Sequence, residues 1–177
     1  MKLRIAAVSF TIYLLIQTSA KRIMTATNTS TAAASDRELI IKRVFDAPPE
    51  MVFDAWTKAE HLVRWFGPSE FTLSSCELDF RVGGSYRFCM RSPEGEDHWV
   101  WGEYREIAKP ARLVFSWNRE DASGKIWTST LVDLTFAASE SGTEFTLRQG
   151  QFETVPFCEE HSFGWNQALD RLAGFVM

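Results

Sequence analysis

The chain closes with VPFCEEHSFGWNQALDRLAGFVM (155–177), a stretch with no proline after Pro156 and with apolar side chains at helical intervals. Cys158, Ser162, Trp165, Leu169, Leu172 and Val176 alternate steps of four and three, which gathers them on one helix face flanked by His161, Ala168 and Phe175. Thr154 offers an N-cap hydroxyl, and Glu159 and Glu160 suit the positive end of the helix dipole. A helix this long, with one wide apolar stripe, needs a broad apolar surface to lie on.

That surface comes from the strands before it. The runs FTLSSCELDF (71–80), SYRFCMR (85–91), HWVWGEYREI (98–107), RLVFSW (112–117), IWTSTLVDLTF (126–136) and TEFTLRQGQF (143–152) are strand-like and separated by turn signals. Gly83-Gly84, Gly95, Gly124 and Gly142 fall where hairpins call for positive φ. Such short connections make successive strands antiparallel neighbours, a six-strand meander.

Upstream, ELIIKRVF (38–45) has the length and composition of one more strand, stopped by the Pro48-Pro49 pair. Pro49 suits the first turn of a helix in which Met51, Val52, Ala55 and Trp56 recur at helical spacing. In TKAEHLVRWFGP (57–68), Thr57 and Glu60 have the spacing of a capping box that opens a second short helix. That helix would carry Leu62, Trp65 and Phe66 toward a core, and Gly67-Pro68 would end it. The expected order is strand, two short helices, six antiparallel strands and a long helix. A sandwich of equal sheets would leave the terminal stripe unburied, whereas a curved sheet gripping the helix on its concave face buries it. The expected fold is therefore α+β, of the helix-grip type.

Composition narrows the function classes. The 177 residues suit one domain, and 14% aromatic content, with 14 Phe and 7 Trp, implies a large packed or ligand-lining interior. A net charge of −4 gives no electrostatic footprint for nucleic acid. Cys76, Cys89 and Cys158 are odd in number and widely spaced, which reads as buried thiols of a cytoplasmic protein. His61, His98 and His161 lack metal-ligand spacing, and no nucleophile elbow or phosphate loop occurs. No metal, cofactor or catalytic residue is expected, and the oligomeric state is left open.

The first 35 residues contain no acidic residue, since the first is Asp36. Lys2 and Arg4 before the mostly apolar run Ile5 to Ile16 resemble a weak signal peptide, and the basic, Ser/Thr-rich character also fits a transit peptide. A third reading starts translation at Met24. The run is too short to span a bilayer comfortably. We therefore divide the chain into a leader, 1–35, and a domain, 36–177.

Four stretches carry a resemblance to a known family: VFDAPPEMVFDAWTKAEHLVRWFGP (44–68), ELDFRVGGSYRFCM (77–90), GEYREIAKPARLVFSW (102–117) and GWNQALDRLAGF (164–175). In this order they resemble the activator of heat-shock-protein-90 ATPase homologue family, within the START-like (SRPBCC) superfamily. The resemblance implies an apolar cavity between the curved sheet and the C-terminal helix, of the kind that holds lipids, sterols or other small apolar molecules. It also implies, as alternatives, a module that docks on a chaperone or another protein, and a cyclase- or hydrolase-like enzyme. No segment resembles the N-terminal half of the co-chaperone that gives the family its name.

Within that cavity, Trp65 and Phe66 would be either a core plug or part of a rim. Trp99 and Trp101 share one strand face with Glu103, and this row is either a ligand wall or the solvent face. Phe88 and Trp117 on strands, and Trp165 and Leu169 on the helix stripe, complete the candidate lining. His161 is the one histidine expected at the cavity, where Glu103, Asp133 or Arg148 could pair with it. Asp79 and Arg81 in the DFRVGG turn are expected to bond each other or exposed backbone.

Overall fold

Hydrogen bonding orders seven antiparallel strands into one sheet whose first strand lies beside its last. The computed structural model describes residues 34–120 and 126–177. Residues 1–33 of the leader and residues 121–125, with Gly124, lie outside these. The strands are β1 (Glu38–Phe45), β2 (Thr72–Leu78), β3 (Ser85–Arg91), β4 (Asp97–Ala108), β5 (Arg112–Glu120), β6 (Ile126–Ser139) and β7 (Gly142–Gly150). Their order is β1-β7-β6-β5-β4-β3-β2, so the expected meander is present and β1 completes it by pairing with β7 from Glu38↔Gly150 to Phe45↔Thr143.

Two short helices, α1 (Pro49–Thr57) and α2 (Ala59–Trp65), follow β1, and α3 (Val155–Val176) ends the chain. Register shifts in the β2–β3, β4–β5 and β5–β6 pairs mark the bulges that bend the sheet. The result is the α+β helix grip: a curved antiparallel sheet with α3 across its concave face.

Strand alternation decides what points inward. Leu39, Ile41 and Phe45 of β1, Tyr86, Phe88 and Met90 of β3, and Val100 and Tyr104 of β4 are buried in the core. They are joined by Leu113, Phe115 and Trp117 of β5, Val132, Leu134 and Phe136 of β6, and Phe145 and Leu147 of β7. From α3, Cys158, Trp165, Ala168, Leu169, Leu172 and Val176 meet this surface, as the stripe requires. The Thr154 hydroxyl accepts from Phe157 N, while no acidic residue falls in the first turn of α3, so Glu159 and Glu160 sit one turn too late for the dipole. At the β6–β7 turn Gly142 adopts φ 114°, and a Cβ there would stand 2.1 Å from the Phe45 carbonyl oxygen. The hairpin can therefore press against the end of β1 only with glycine.

The linker between the short helices departs from expectation. Thr57 is the last residue of α1, buried, and Lys58 is the extended N-cap of α2 with no side-chain cap bond. The helix thus begins one residue later than the capping box requires, and Glu60 falls one position short. Lys58 instead donates to Asp54 at 2.7 Å, and Lys109 reaches the same carboxylate at 2.8 Å. On α1, Phe53 takes the inward position and Met51 faces solvent. Gly67 has φ 110°, in the left-handed region expected at the end of α2. Asp79 and Arg81 pair with each other at 2.7 Å.

Candidate functional site

The concave face divides into an apolar zone and a polar zone. Phe66 links them. It is the extended residue that ends α2, and it lies 3% exposed among Phe88 (ring centroids 5.2 Å apart), Trp165 (6.0 Å) and Trp117 (6.2 Å). Trp65 beside it is fully buried and donates its indole N–H to the Ala55 carbonyl at 3.1 Å. Both aromatics are thus core plugs. The loop after them is tied to α3: Arg171 Nη1 lies 2.9 Å from the Pro68 carbonyl, 3.0 Å from that of Phe71 and 3.2 Å from that of Gly67. Gln167 Oε1 accepts from Ser69 N.

The apolar zone is almost full. Phe66, Tyr86, Phe88, Tyr104, Leu113 and Phe115, with Trp56 and Leu62, surround a void of about 10 Å³. That is about the least space a single water molecule needs. Tyr86 crosses the sheet over Gly102, where a Cβ would stand 2.8 Å from the Tyr86 ring, and donates its hydroxyl to the Ser116 carbonyl at 2.7 Å. Burial raises the pKa of both Tyr86 and Tyr104, so each remains a neutral phenol.

The polar zone lies where β5 ends, β6 begins and α3 starts. Trp165 Nε1 donates to Gln149 Oε1 at 2.6 Å, Gln149 Nε2 donates to Thr130 Oγ1 at 2.8 Å, and Thr130 donates on to the Trp117 carbonyl at 3.5 Å. His161 Nδ1 bonds the Phe157 carbonyl at 2.8 Å, and its ring sits between those of Phe152 (4.8 Å) and Trp117 (6.3 Å). Burial, then the neighbouring Arg119 charge, lowers the His161 pKa to about 4, opposed by the Phe157 carbonyl and Glu160. Arg119 itself bonds Glu160 at 2.9 Å across the β5–α3 seam. The imidazole is thus neutral at pH 7 with its proton on Nδ1, which leaves a lone pair on Nε2. Nε2 is buried without a partner, as are the indole nitrogens of Trp117 and Trp56. A groove of about 250 Å³ lined by Ile126, Thr128, Ser129, Gln151 and Glu153 opens to solvent near the start of β6.

The expected site residues separate accordingly. Phe66, Phe88, Trp117, His161, Trp165 and Leu169 are all buried on the concave side. Trp99, Trp101 and Glu103 are not among them: Val100, Gly102 and Tyr104 take the inward row of β4, so their neighbours project from the opposite face. There Arg87 stacks over Trp99 at 4.5 Å and Glu103 pairs with Arg105 at 2.9 Å. The partners expected for His161 are also elsewhere. Asp133 bonds Arg112, Arg148 bonds Glu38, and the charged residues near His161 are Arg119 and Glu160. His98 shares the inward row of β4, so His161 is not the one inward histidine. Burial and Arg119 lower its pKa as well.

Trp56, Thr130 and Gln149 were not expected at the site. A signal for Gln149 exists, since Phe145, Leu147 and Gln149 form one alternating row in which the third member is polar. Among the described residues, no group of three His, Cys, Asp or Glu side chains could hold a metal ion. Among the same residues, no helix is long and apolar enough to cross a membrane.

Comparison with known proteins agrees with this architecture. The family model described as "Activator of Hsp90 ATPase homolog 1-like protein" matches residues 46–176. A crystal structure from Chromobacterium violaceum is 27% identical, with a TM-score of 0.71 over 79% of this chain and 96% of that one. An AHSA1 protein from Silicibacter pomeroyi, 24% identical, superposes with a TM-score of 0.72 over 77% of this chain and 95% of its own. An AHSA1-like protein from Aeromonas hydrophila, 22% identical, gives 0.64 over 78% and 91%. No curated protein matches the chain significantly.

Proposed function

From the premise that this chain belongs to the activator of Hsp90 ATPase homolog 1-like family, we propose that it binds a small apolar molecule between the sheet and α3. The observation that carries this reading is the adjacent pair of unpartnered nitrogens, Trp117 Nε1 and His161 Nε2, inside a largely aromatic interior, where Trp56 Nε1 and, elsewhere, His98 Nε2 and Trp101 Nε1 are unpartnered as well. Buried polar groups are nearly always paired, and an exception at the heart of a fold calls for a partner. With a void of only about 10 Å³, a ligand must take space that Phe66 now fills. Phe66 is the side chain placed to yield, because it ends a short helix and its loop is held by Arg171 and Gln167 rather than by strand pairing.

Docking on a chaperone or another protein is the second reading. The scarcity of free interior volume favours it, as does Phe163, which stands 68% exposed on α3. Native mass spectrometry of the full chain, with organic extraction of whatever co-purifies, separates the two. A retained apolar molecule of defined mass supports the ligand reading. A bare mass that no lipid or hydrophobic-metabolite panel shifts removes that reading and favours the protein partner.

A further inference from the structure

Resting on the ligand reading above, we infer that the molecule carries a neutral hydroxyl, an alcohol or a phenol, which donates to His161 Nε2 and accepts from Trp117 Nε1. Both side chains are more than nine-tenths buried, and their rings lie 6.3 Å apart at 77°. Neither nitrogen has a partner. An indole nitrogen can only donate. On His161, the bond from Nδ1 to the Phe157 carbonyl fixes the proton there, because a carbonyl oxygen can only accept. That leaves Nε2 as an acceptor.

One donor and one acceptor define the group that satisfies both. A hydroxyl does so with a single oxygen. An ether or ketone would answer Trp117 and leave the imidazole lone pair unpaired, while an ammonium head would answer His161 and leave the indole N–H unpaired. A carboxylate would set its charge against that lone pair. The nearest charge that could attract it, Arg119, is already bonded to Glu160 at 2.9 Å. The other polar groups of the zone, Trp165, Gln149 and Thr130, bond one another and do not compete for the hydroxyl. The shared O–H chemistry has two sources, a ligand head group or a water molecule, and the experiment must tell them apart.

Calorimetric titration of the full chain with β-naphthol, its methyl ether and β-naphthoate makes that test. β-Naphthol is expected to bind roughly tenfold more tightly than the methyl ether, since one well-made hydrogen bond of this kind is worth about that factor. β-Naphthoate is expected to bind more weakly than either. His161→Leu should reduce the preference for naphthol over the ether to within about twofold while leaving affinity for the ether intact, whereas Trp117→Phe should weaken naphthol and ether alike, because both accept from that N–H. Equal binding of naphthol and ether overturns the hydroxyl assignment and leaves the ligand reading standing. So does a preference that survives His161→Leu, an unchanged affinity for both compounds in Trp117→Phe, or a structure of the naphthol complex in which a water occupies the two nitrogens. Binding of none of the three compounds overturns the ligand reading itself.

Discussion

The indole N–H of Trp165 donates to Gln149 Oε1 at 2.6 Å in the middle of the grip, between the helix stripe and the inward row of β7. Gln149 is fully buried. Its amide also donates to Thr130, so one side chain joins α3 to two strands. Replacing Gln149 with Leu keeps the volume but leaves the Trp165 N–H unpaired, and should cost about 1–3 kcal/mol. The check is the urea midpoint with an unchanged m-value. In Trp165→Phe the same substitution should cost less, because the orphaned donor is gone.

Gly102 is required by its neighbours rather than by its φ. A Cβ at this position would stand 1.8 Å from the Ser116 carbonyl oxygen as well as 2.8 Å from the Tyr86 ring. Gly102→Ala should therefore destabilise the fold by about 1–3 kcal/mol, read as a lowered melting temperature. Trimming Tyr86 to Leu in the same chain should not restore it, since the closer obstacle is backbone.

Stability should fall on acidification through the range where His161 differs between states. Its pKa drops from an ordinary 6.5 to about 4 in the folded chain, so the unfolded chain binds the proton first. Above pH 6.5 both states are neutral and the residue contributes nothing to the pH dependence. Between pH 6.5 and 4 the unfolded state gains, by roughly 3 kcal/mol in all, and below pH 4 the effect levels off. His98, lowered in the same direction, adds to the slope. Urea titrations at pH 7, 5.5 and 4 should show the decline, and His161→Leu should flatten most of it.

Phe66→Ala should separate stability from binding. It removes a ring packed on Phe88, Trp117 and Trp165 and should cost about 3–5 kcal/mol. The same change opens the interior and should raise affinity for naphthalene-sized apolar probes, measured by calorimetry. Arg171→Met offers a milder version. It frees the carbonyls of Gly67, Pro68 and Phe71, so amide exchange in the loop after α2 should quicken and probe association should accelerate without a large loss of stability.

Trp99→Phe and Trp101→Phe should leave probe binding unchanged, because both indoles stand on the outer face of β4. A change in affinity with either would mean that the sheet binds ligands on its convex side.

These residues also mark where the sequence is legible. The stripe of α3, the six hairpin-linked strands and the Gly67-Pro68 stop follow from local periodicity and turn chemistry, and the fold assembles from them. Which face of β4 points inward does not. Its two alternating rows are equally mixed, and the choice is made by Gly102, whose bare backbone lets Tyr86 lie across the strand. The pairing of His161 with a main-chain carbonyl, rather than with Asp133 or Arg148, likewise depends on strand register. Asp133 and Arg148 face each other in register across β6 and β7 and are taken by Arg112 and Glu38. The capping box failed because burial of Thr57 extends α1 by one residue, an effect of tertiary packing on a boundary.

The pairing of β1 with β7 carries a consequence for how the protein is made. The first strand leaves the ribosome with 105 residues still to come between Phe45 and the end of its partner at Gly150. At ordinary rates of synthesis that is a wait on the order of ten seconds. Throughout that time Leu39, Ile41 and Phe45 have neither their neighbouring strand nor the helix that covers them. The grip can close only after translation is nearly complete, which makes the newborn β1 edge the segment most open to mispairing in this chain.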